Sequence, residues 1–300
     1  MQLKKLEQIF DYAKEKKKKR LVVAYGQDPN TLGAVSKAVD LGFIDITLVG
    51  DENVIKKVCE EKGIDPNKFR IIDVKDEKQS GVKAVDLINS GEGDVLMKGL
   101  ISTDKYMRCI LDKERGLMKP KSILTHIGVI DNPNYPKLLL ASDMAIIPTP
   151  DLKQKAAITN YLIKVAKSIG IEEPKVAIVT ATEKANPKMP ACIDASVISK
   201  MGDRGQIKGA KIDGPLAMDV AIDPESVRIK KIKSDVAGEA DCLVFPNIET
   251  GNVFYKSMTK LAKSDMAAIV VGAKVPAILP SRGDSEKSKL YSIALAALME

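Results

Sequence analysis

Segments typical of β-strands and segments typical of α-helices alternate along most of this 300-residue chain. Leu21–Tyr25 has the apolar run of a buried strand, a helix is expected from Asn30 or Thr31 to Asp40, and Ile44–Val49 is the next strand. A strand, a helix and a second strand at this spacing form a βαβ unit with parallel strands. The alternation therefore predicts an α/β fold, and the length fits two domains of roughly 150 residues each.

A break near the middle of the chain indicates where one domain gives way to the next. Pro148-Thr-Pro-Asp151 contains two prolines, which disfavour helix in the residues before them, and Asp151 is a suitable cap for a helix over Leu152–Ile169. The alternation then resumes, with a strand expected at Val176–Thr180. We expect the second domain to begin after Ile147.

The composition excludes several classes of protein. No apolar run approaches the roughly 18 residues that span a bilayer, and the N-terminal segment lacks the pattern of a secretory signal, so we expect a cytoplasmic protein with no membrane partner. The 4 cysteines are far apart and there is 1 histidine, which makes a zinc site improbable and favours a reducing compartment. With no Trp and 4% aromatic residues, the chain is poorly supplied for nucleic-acid binding. Its net charge of +7 suits an anionic substrate, but a lysine-rich surface explains most of it.

Several catalytic motifs are missing from the sequence. We find no Walker-type loop, no HExxH, no GxGxxG after a strand and no GxSxG. A metal- and nicotinamide-dependent dehydrogenase would need a cluster of metal-binding aspartates and a nucleotide loop, and neither occurs with suitable spacing.

Three loops place small, polar and charged residues where strands are expected to end, which is where α/β proteins bind their ligands. The first is Lys98-Gly-Leu-Ile-Ser-Thr103, between a strand and a helix, with Arg108 further along that helix. Free amides at the helix start, the hydroxyls of Ser102 and Thr103 and two cations suit an anion.

The second loop is Gly251-Asn-Val-Phe-Tyr-Lys256, a glycine-containing loop predicted to open a helix, so that Asn252, Tyr255 and Lys256 lie near its N-terminus. The third is Leu279-Pro-Ser-Arg-Gly-Asp-Ser285, an exposed loop before the last helix. Arg282 is an unusual choice in a chain whose basic residues are mostly lysine, and it suggests two-pronged recognition of an oxyanion.

Five motifs in this order resemble the phosphate acetyl/butyryltransferase family and span about two thirds of the chain. They are MKGLISTDKYMRCIL at Met97–Leu111, ASDMAIIPTPDLKQKAAIT at Ala141–Thr159, DGPLAMDVAI at Asp213–Ile222, GNVFYKSM at Gly251–Met258 and VVGAKVPAILPSRGDS at Val270–Ser285. The stretches GNVFYK and VGAKVPAIL are more similar to the butyryltransferase branch than to the acetyltransferase branch.

The resemblance implies two α/β domains with a cleft between them, similar to isocitrate and isopropylmalate dehydrogenases, in a homodimer or higher homo-oligomer. The C-terminal helix of such proteins returns to the first domain. The resemblance therefore implies a first domain of residues 1–147 plus 279–300 and a second domain of residues 148–278.

The implied reaction converts a short-chain acyl-CoA, butyryl-CoA above all, and phosphate to acyl phosphate and CoA, with no metal and no permanently bound cofactor. By resemblance, Arg282 binds phosphate, Ser281 donates to the developing oxyanion and Arg108 is a second anion-binding arginine. Tyr255 and Lys256 line the phosphate pocket, and Thr125 faces the same region. We add Lys98, Ser102, Thr103 and Asn252 to the expected substrate contacts and leave His126 out of the catalytic set.

The sequence departs from the family at the general base. In the acetyltransferase branch an aspartate follows the SRG arginine by six positions, but here that position is Ser288. Asp284 is our candidate, with Glu286 as an alternative. A third possibility is that no base is needed, because a thiol is already a few per cent ionised at neutral pH. Two other functions stay open at this point, namely acetyl transfer by the same chemistry and a non-catalytic anion-binding module.

Overall fold

The structure, a computed structural model, describes residues 2–281 and 283–299. Its internal contacts divide the chain into two compact units. The first unit consists of Glu7–Leu124 with residues 267–299, and the second unit consists of residues 2–6 with Thr125–Met266.

Strands and helices alternate along both units, so the predicted α/β fold is confirmed. The strands are β1 (Lys19–Ala24), β2 (Ile44–Gly50), β3 (Arg70–Asp73), β4 (Val95–Lys98), β5 (Thr125–Asp131), β6 (Leu139–Ser142), β7 (Lys175–Val179), β8 (Lys211–Leu216), β9 (Cys242–Val244), β10 (Asp265–Val271) and β11 (Ala277–Ile278). The helices are α1 (Ile9–Lys14), α2 (Pro29–Asp40), α3 (Glu52–Lys62), α4 (Glu77–Asn89), α5 (Thr103–Leu111), α6 (Leu152–Ser168), α7 (Pro190–Asp203), α8 (Met218–Ile222), α9 (Pro224–Lys230), α10 (Ile248–Lys256) and α11 (Glu286–Ala297). Short turns of other helix types occur at Leu6–Gln8, Pro66–Lys68 and Ser257–Leu261.

The sheet of the first unit has the strand order β3-β2-β1-β4-β11-β10. β1 to β4 and β11 run parallel, and β10 is antiparallel to β11. The apolar residues Leu21–Ala24 of β1 are fully buried, as expected of a parallel strand with both faces covered. α2 begins one or two residues earlier than predicted, because the carboxylate of Asp28 accepts a hydrogen bond from the Thr31 amide and Pro29 occupies the first helical position.

The sheet of the second unit has the order β5-β6-β9-β7-β8, in which β5 and β6 are antiparallel and the other neighbours are parallel. The predicted cap of α6 is confirmed, since Asp151 and Gln154 form a reciprocal capping box. The segment Asp213–Asp219, within the motif DGPLAMDVAI, contains the end of β8 and the start of α8.

The units differ from the predicted domain limits of 1–147 plus 279–300 and 148–278. β6 pairs with both β5 and β9, so the residues from Thr125 onward belong to the second unit. β11 pairs with β4 and β10, so the residues from Ala267 onward belong to the first unit. Pairing between strands that are distant in sequence determined these limits, and the sequence pattern carries no signal for it.

Candidate functional site

The loops after β1 and β4 are joined by backbone hydrogen bonds at the carboxyl end of the first unit's sheet. The Gly99 amide donates to Ala24 O at 2.9 Å, and the Leu100 amide donates to Tyr25 O at 2.8 Å. A Cβ at Gly99 would lie 2.3 Å from Tyr25 O, so only glycine permits this approach. Lys98, the last residue of β4, is 3% exposed, and its Nζ donates to Gly99 O at 3.2 Å. The loop therefore holds a buried cation in a fixed place.

The start of α5 is tied to the start of α4 through Glu77. Ser102 caps α5 by accepting a hydrogen bond from the Lys105 amide at 3.4 Å, and its own amide donates to Glu77 Oε1 at 2.6 Å. Lys105 forms an ion pair with the other oxygen of Glu77, and this hydrogen bond, with that of the Ser102 amide, lowers the pKa of the Glu77 carboxyl. The Ser102 amide is thus already used inside the protein, while Thr103 is exposed.

Arg108 lies on the outer surface of α5. Its side chain is 79% exposed and pairs with Asp104 one turn earlier, with Nε 3.1 Å from the carboxylate. The structure therefore shows Arg108 accessible to an anion, although its present partner is a carboxylate of its own helix.

The loop before α11 folds back on itself. Asp284 Oδ2 accepts a hydrogen bond from the Ser281 amide at 2.8 Å, and the Asp284 amide donates to Ser281 O at 3.1 Å. Ser281 Oγ is 3.4 Å from the Gly283 amide, and Ser281 is exposed. Arg282 lies outside the described residues. Ser288, six positions after Arg282 in the sequence, donates from its amide to Oγ of the α11 cap Ser285 at 3.1 Å.

The alternative base Glu286 takes part in a contact between α11 and α2. Its carboxylate pairs with Lys37 at 2.5 Å and lies over Gly33, where a Cβ would meet Glu286 Oε2 at 2.3 Å. One turn further along α11, the buried Lys289 donates to Thr31 Oγ1 at 3.1 Å and lies 3.4 Å from Asp28 Oδ1. The first turns of α11, which follow the Ser281–Asp284 loop, are therefore attached to α2 by two ion pairs.

In the second unit, the buried carboxylate of Asp143 joins three segments. Asp143 is 2% exposed and directly follows β6. Its Oδ2 accepts from Thr125 Oγ1 at 2.9 Å and from the His126 amide at 3.3 Å, both at the start of β5. Its Oδ1 accepts from the amides of Ala145 at 2.7 Å and Ile146 at 2.8 Å. Because β5 is antiparallel to β6, the start of one strand lies beside the end of the other.

α10 packs onto the same region, and its start differs from the prediction. Asn247 caps the helix by accepting from the Thr250 amide at 3.0 Å, so Gly251 lies inside α10 and does not open it. Gly251 is required for close packing, since a Cβ there would lie 2.0 Å from Asp143 O. Asn252 Nδ2 donates to Met144 O at 3.1 Å.

The aromatic residues of α10 orient the helix further. The Tyr255 ring meets the His126 ring edge to face, with 6.4 Å between centroids and 72° between planes, and Phe254 packs on Phe245 at 5.1 Å. Lys256, the last residue of α10, is exposed. The structure therefore brings Thr125, Asn252 and Tyr255 together.

Thr125 itself is fully buried, and its hydroxyl is used within the protein. An ionised carboxylate can only accept, so Thr125 Oγ1 donates to Asp143, and in its 2.8 Å contact with Ser142 Oγ it must then accept. A direct hydrogen bond from this hydroxyl to a substrate oxyanion is incompatible with that arrangement.

Asp143 is the residue that the sequence reasoning missed. It lies inside the quoted motif ASDMA but was not singled out, although an aspartate directly after a buried strand was an available signal. Among residues 2–281 and 283–299, the structure shows no group of three or more His, Cys, Asp or Glu side chains arranged to hold a metal. No helix within those ranges is both long and apolar enough to cross a membrane.

Known proteins resemble the chain over its whole length. The family described as phosphate acetyl/butaryl transferase matches residues 5–83 and 77–297. The phosphate butyryltransferase of Clostridium acetobutylicum is 43% identical over 297 residues, 99% of this chain and 98% of that protein. The phosphate acetyltransferase of Thermotoga maritima is 41% identical over 293 residues, 98% of this chain and 99% of that protein.

Solved structures agree with these sequence matches. A branched-chain phosphotransacylase from Enterococcus faecalis has a TM-score of 0.81 at 30% identity, covering 93% of this chain and 98% of that one. A phosphotransacetylase from Streptococcus pyogenes, at 22% identity, shares the fold with a TM-score of 0.82 over 97% of this chain and 98% of that one. The resemblance seen in the five sequence motifs is confirmed, and the chain belongs to the phosphate acetyl/butyryl transferase family of acyltransferases.

Proposed function

We propose that this protein transfers a short acyl group reversibly between coenzyme A and phosphate, with butyryl-CoA as a substrate. The observation that carries the proposal is the 43% identity to a phosphate butyryltransferase over 297 residues, which includes all five motifs. Acetyl transfer is the second candidate, because a phosphate acetyltransferase is 41% identical over 293 residues. One or two methylenes in an apolar pocket separate such substrates by only about 1–3 kcal/mol.

In the proposed reaction, a phosphate oxygen attacks the thioester carbonyl carbon and the carbonyl oxygen becomes an oxyanion. The C–S bond then breaks, CoA leaves as a thiolate and takes up a proton, and the acyl phosphate remains. Coenzyme A is therefore a substrate or product, and no permanently bound cofactor is part of the scheme. The protein's contribution is to position two anionic substrates and to stabilise the negative charge that develops between them.

The loop before α11 supplies the proposed reacting groups. Arg282 binds phosphate through its planar, two-pronged guanidinium, and the exposed Ser281 hydroxyl donates to the oxyanion. Asp284 is the proposed proton acceptor for the thiol in the reverse direction. Its bond to the Ser281 amide gives it a second role, because it holds Ser281 in a defined turn.

The remaining proposed contacts lie at strand ends in each unit. In the first unit, Lys98 and Arg108 supply positive charge, and Ser102 and Thr103 contact the substrate at the start of α5. In the second unit, phosphate is bound by three residues of α10, namely Asn252, Tyr255 and Lys256. Thr125 does not contact the substrate in this proposal, because its hydroxyl donates to Asp143. It stabilises the packing of the α10 residues indirectly, through that bond.

The wider setting is also a proposal. We infer a cytoplasmic homodimer or higher homo-oligomer, and an isocitrate/isopropylmalate dehydrogenase-like architecture of two α/β domains. The division of the chain into two compact units supports this architecture.

Thiol release tests the proposed function. The purified protein is incubated with acetyl-, butyryl- or longer acyl-CoA, with and without phosphate, and free thiol is followed with a chromogenic disulfide. We expect release that depends on phosphate and is faster with butyryl-CoA than with acetyl-CoA. Faster release with acetyl-CoA would select the second candidate, and no phosphate-dependent release from any acyl-CoA would overturn the proposal.

A further inference from the structure

We propose that Asp143 is a positioning residue for the phosphate-binding group on α10, a role that rests on the proposed function. The carboxylate is 2% exposed, and the four donors described above occupy both of its oxygens. A group used in this way has no capacity left for a substrate, so its effect on the reaction must pass through its neighbours.

The neighbours of Asp143 lead to α10 by three separate contacts. Its backbone carbonyl lies against Gly251, where a Cβ would be only 2.0 Å away. The next carbonyl, Met144 O, accepts from Asn252 Nδ2 at 3.1 Å. Its Oδ2 fixes the backbone of His126, whose ring lies edge to face with Tyr255. Three residues in the first two turns of α10 therefore take their positions from groups that Asp143 holds.

The direction of the hydrogen bonds makes the arrangement sensitive to charge as well as shape. The ionised carboxylate makes Thr125 a donor, and Thr125 in turn makes Ser142 a donor to it. An asparagine at this position would present an NH₂ group to two donors wherever that group points. One side of the network must then lose its bonds or shift, even though the side chain keeps its size.

Asp143→Asn is the direct test, with Asp241→Asn as its matched control. Asp241 is also a buried aspartate of the second unit, 5% exposed, and its carboxylate pairs with Lys137 at 2.6 Å and accepts from the Lys175 amide at 2.8 Å. It lies directly before β9, at the opposite end of the strands from Asp143. Both variants lose a buried charge, but only Asp143→Asn disturbs the supports of α10.

We expect the two variants to lose similar amounts of Tm but to differ in their steady-state kinetics. Because a misplacement of about 1 Å can cost about a hundredfold in rate, kcat/KM for phosphate should fall about ten- to a hundredfold in Asp143→Asn. The fall should come with a raised KM for phosphate and a KM for acyl-CoA close to that of the wild type. Asp241→Asn should keep both KM values. Equal kinetics in the two variants would overturn the inference.

Combining Asp143→Asn with Asn252→Ala tests whether the effect passes through α10. If it does, the fold loss of kcat/KM for phosphate in the double variant should be smaller than the product of the fold losses in the two single variants. A fold loss equal to that product would contradict the inference.

The Thr125 variants decide the question if Asp143→Asn does not fold. Thr125→Ser keeps the hydroxyl that donates to Asp143, and Thr125→Val removes it at the same shape. We expect a raised KM for phosphate in Thr125→Val only, and equal values in both would overturn the inference. A wild type without phosphate-dependent thiol release would instead refute the proposed function, so the two failures can be told apart.

Discussion

Ser281 and Asp284 form a closed turn in which the side chain of one residue holds the backbone of the other. The Asp284 carboxylate accepts from the Ser281 amide at 2.8 Å, so the loop's shape depends on a group that is also the candidate base. Since a thiol near its ordinary pKa of about 8.5 is already a few per cent ionised at neutral pH, charge stabilisation is expected to contribute more than proton removal.

Removing Arg282 should therefore cost more activity than removing Asp284. We expect Arg282→Ala to lower kcat/KM about 10²–10³-fold, because the guanidinium binds phosphate and stabilises the charge that develops on the acyl phosphate, and Asp284→Ala to slow transfer much less. Steady-state thiol release measures both. Arg228→Ala is the control, because that side chain is 76% exposed and pairs only with Glu225 in the contacts described. Near wild-type turnover in Arg282→Ala would contradict the assignment.

Glu286 is expected to be dispensable for the reaction. Its carboxylate pairs with Lys37 at 2.5 Å and lies over Gly33, which gives it a role in attaching α11 to α2. Glu286→Gln should keep kcat and its pH profile. A large fall in kcat for the direction that consumes CoA, recovered as the pH rises towards the thiol pKa of about 8.5, would show that Glu286, and not Asp284, is the base.

At the scale of elements, α2 and α11 are joined by a buried ion pair that supports the loop before α11. Lys289 is 5% exposed and reaches Thr31 Oγ1 and Asp28 Oδ1, while Asp28 Oδ2 is a buried atom with no hydrogen-bond partner among the described residues. Removing the cation would leave a buried carboxylate with even less compensation.

Lys289→Met should therefore destabilise the protein strongly. We expect a loss of about 3 kcal/mol in the free energy of unfolding, measured by urea denaturation, because an uncompensated buried charge remains. Adding Asp28→Asn should recover part of the loss. Lys37→Met, which removes the more exposed partner of Glu286, is the control and should cost less than about 1 kcal/mol. Equal losses in Lys289→Met and Lys37→Met would refute this view of the α2–α11 contact.

The link between α4 and α5 should depend on pH. The pKa of the Glu77 carboxyl is lowered in the folded protein by Lys105 and the Ser102 amide. The stabilisation is then fully present above the unfolded value of about 4.3 and is lost as the pH falls through the folded pKa. In thermal melts at pH 7, the Tm of the wild type should be higher than that of Glu77→Gln. This difference in Tm should shrink as the pH falls below about 4.3. A constant difference across this range would contradict the assignment.

At the scale of the whole molecule, local patterns predicted the elements but not their assembly. The cap at Asp151 and the start of α5 after Ser102 follow from residues that are neighbours in sequence, and both are confirmed. The sequence pattern did not predict that α10 begins at Ile248, because the glycine at position 251 suggested a loop. In fact that glycine serves a contact with Asp143, which no local rule could reveal.

The site shows the same division between local and long-range information. Motif order was sufficient to identify the family, since the motifs are local. The network of Asp143 joins residues from β5, β6 and α10, and the contacts of Glu286 and Lys289 join the two ends of the chain. Contacts of this kind arise from strand pairing and helix packing, so they required the structure.

Direct detection of the product tests the central claim most sharply. Butyryl-CoA and phosphate are incubated with the protein, and ³¹P NMR follows the phosphorus species while free thiol is measured in parallel. We predict an acyl phosphate resonance that grows in step with thiol and disappears when excess CoA is added, because the reaction is reversible. Thiol release with no ³¹P resonance beyond those of inorganic phosphate and of the phosphates of coenzyme A would mean hydrolysis and would contradict acyl transfer to phosphate.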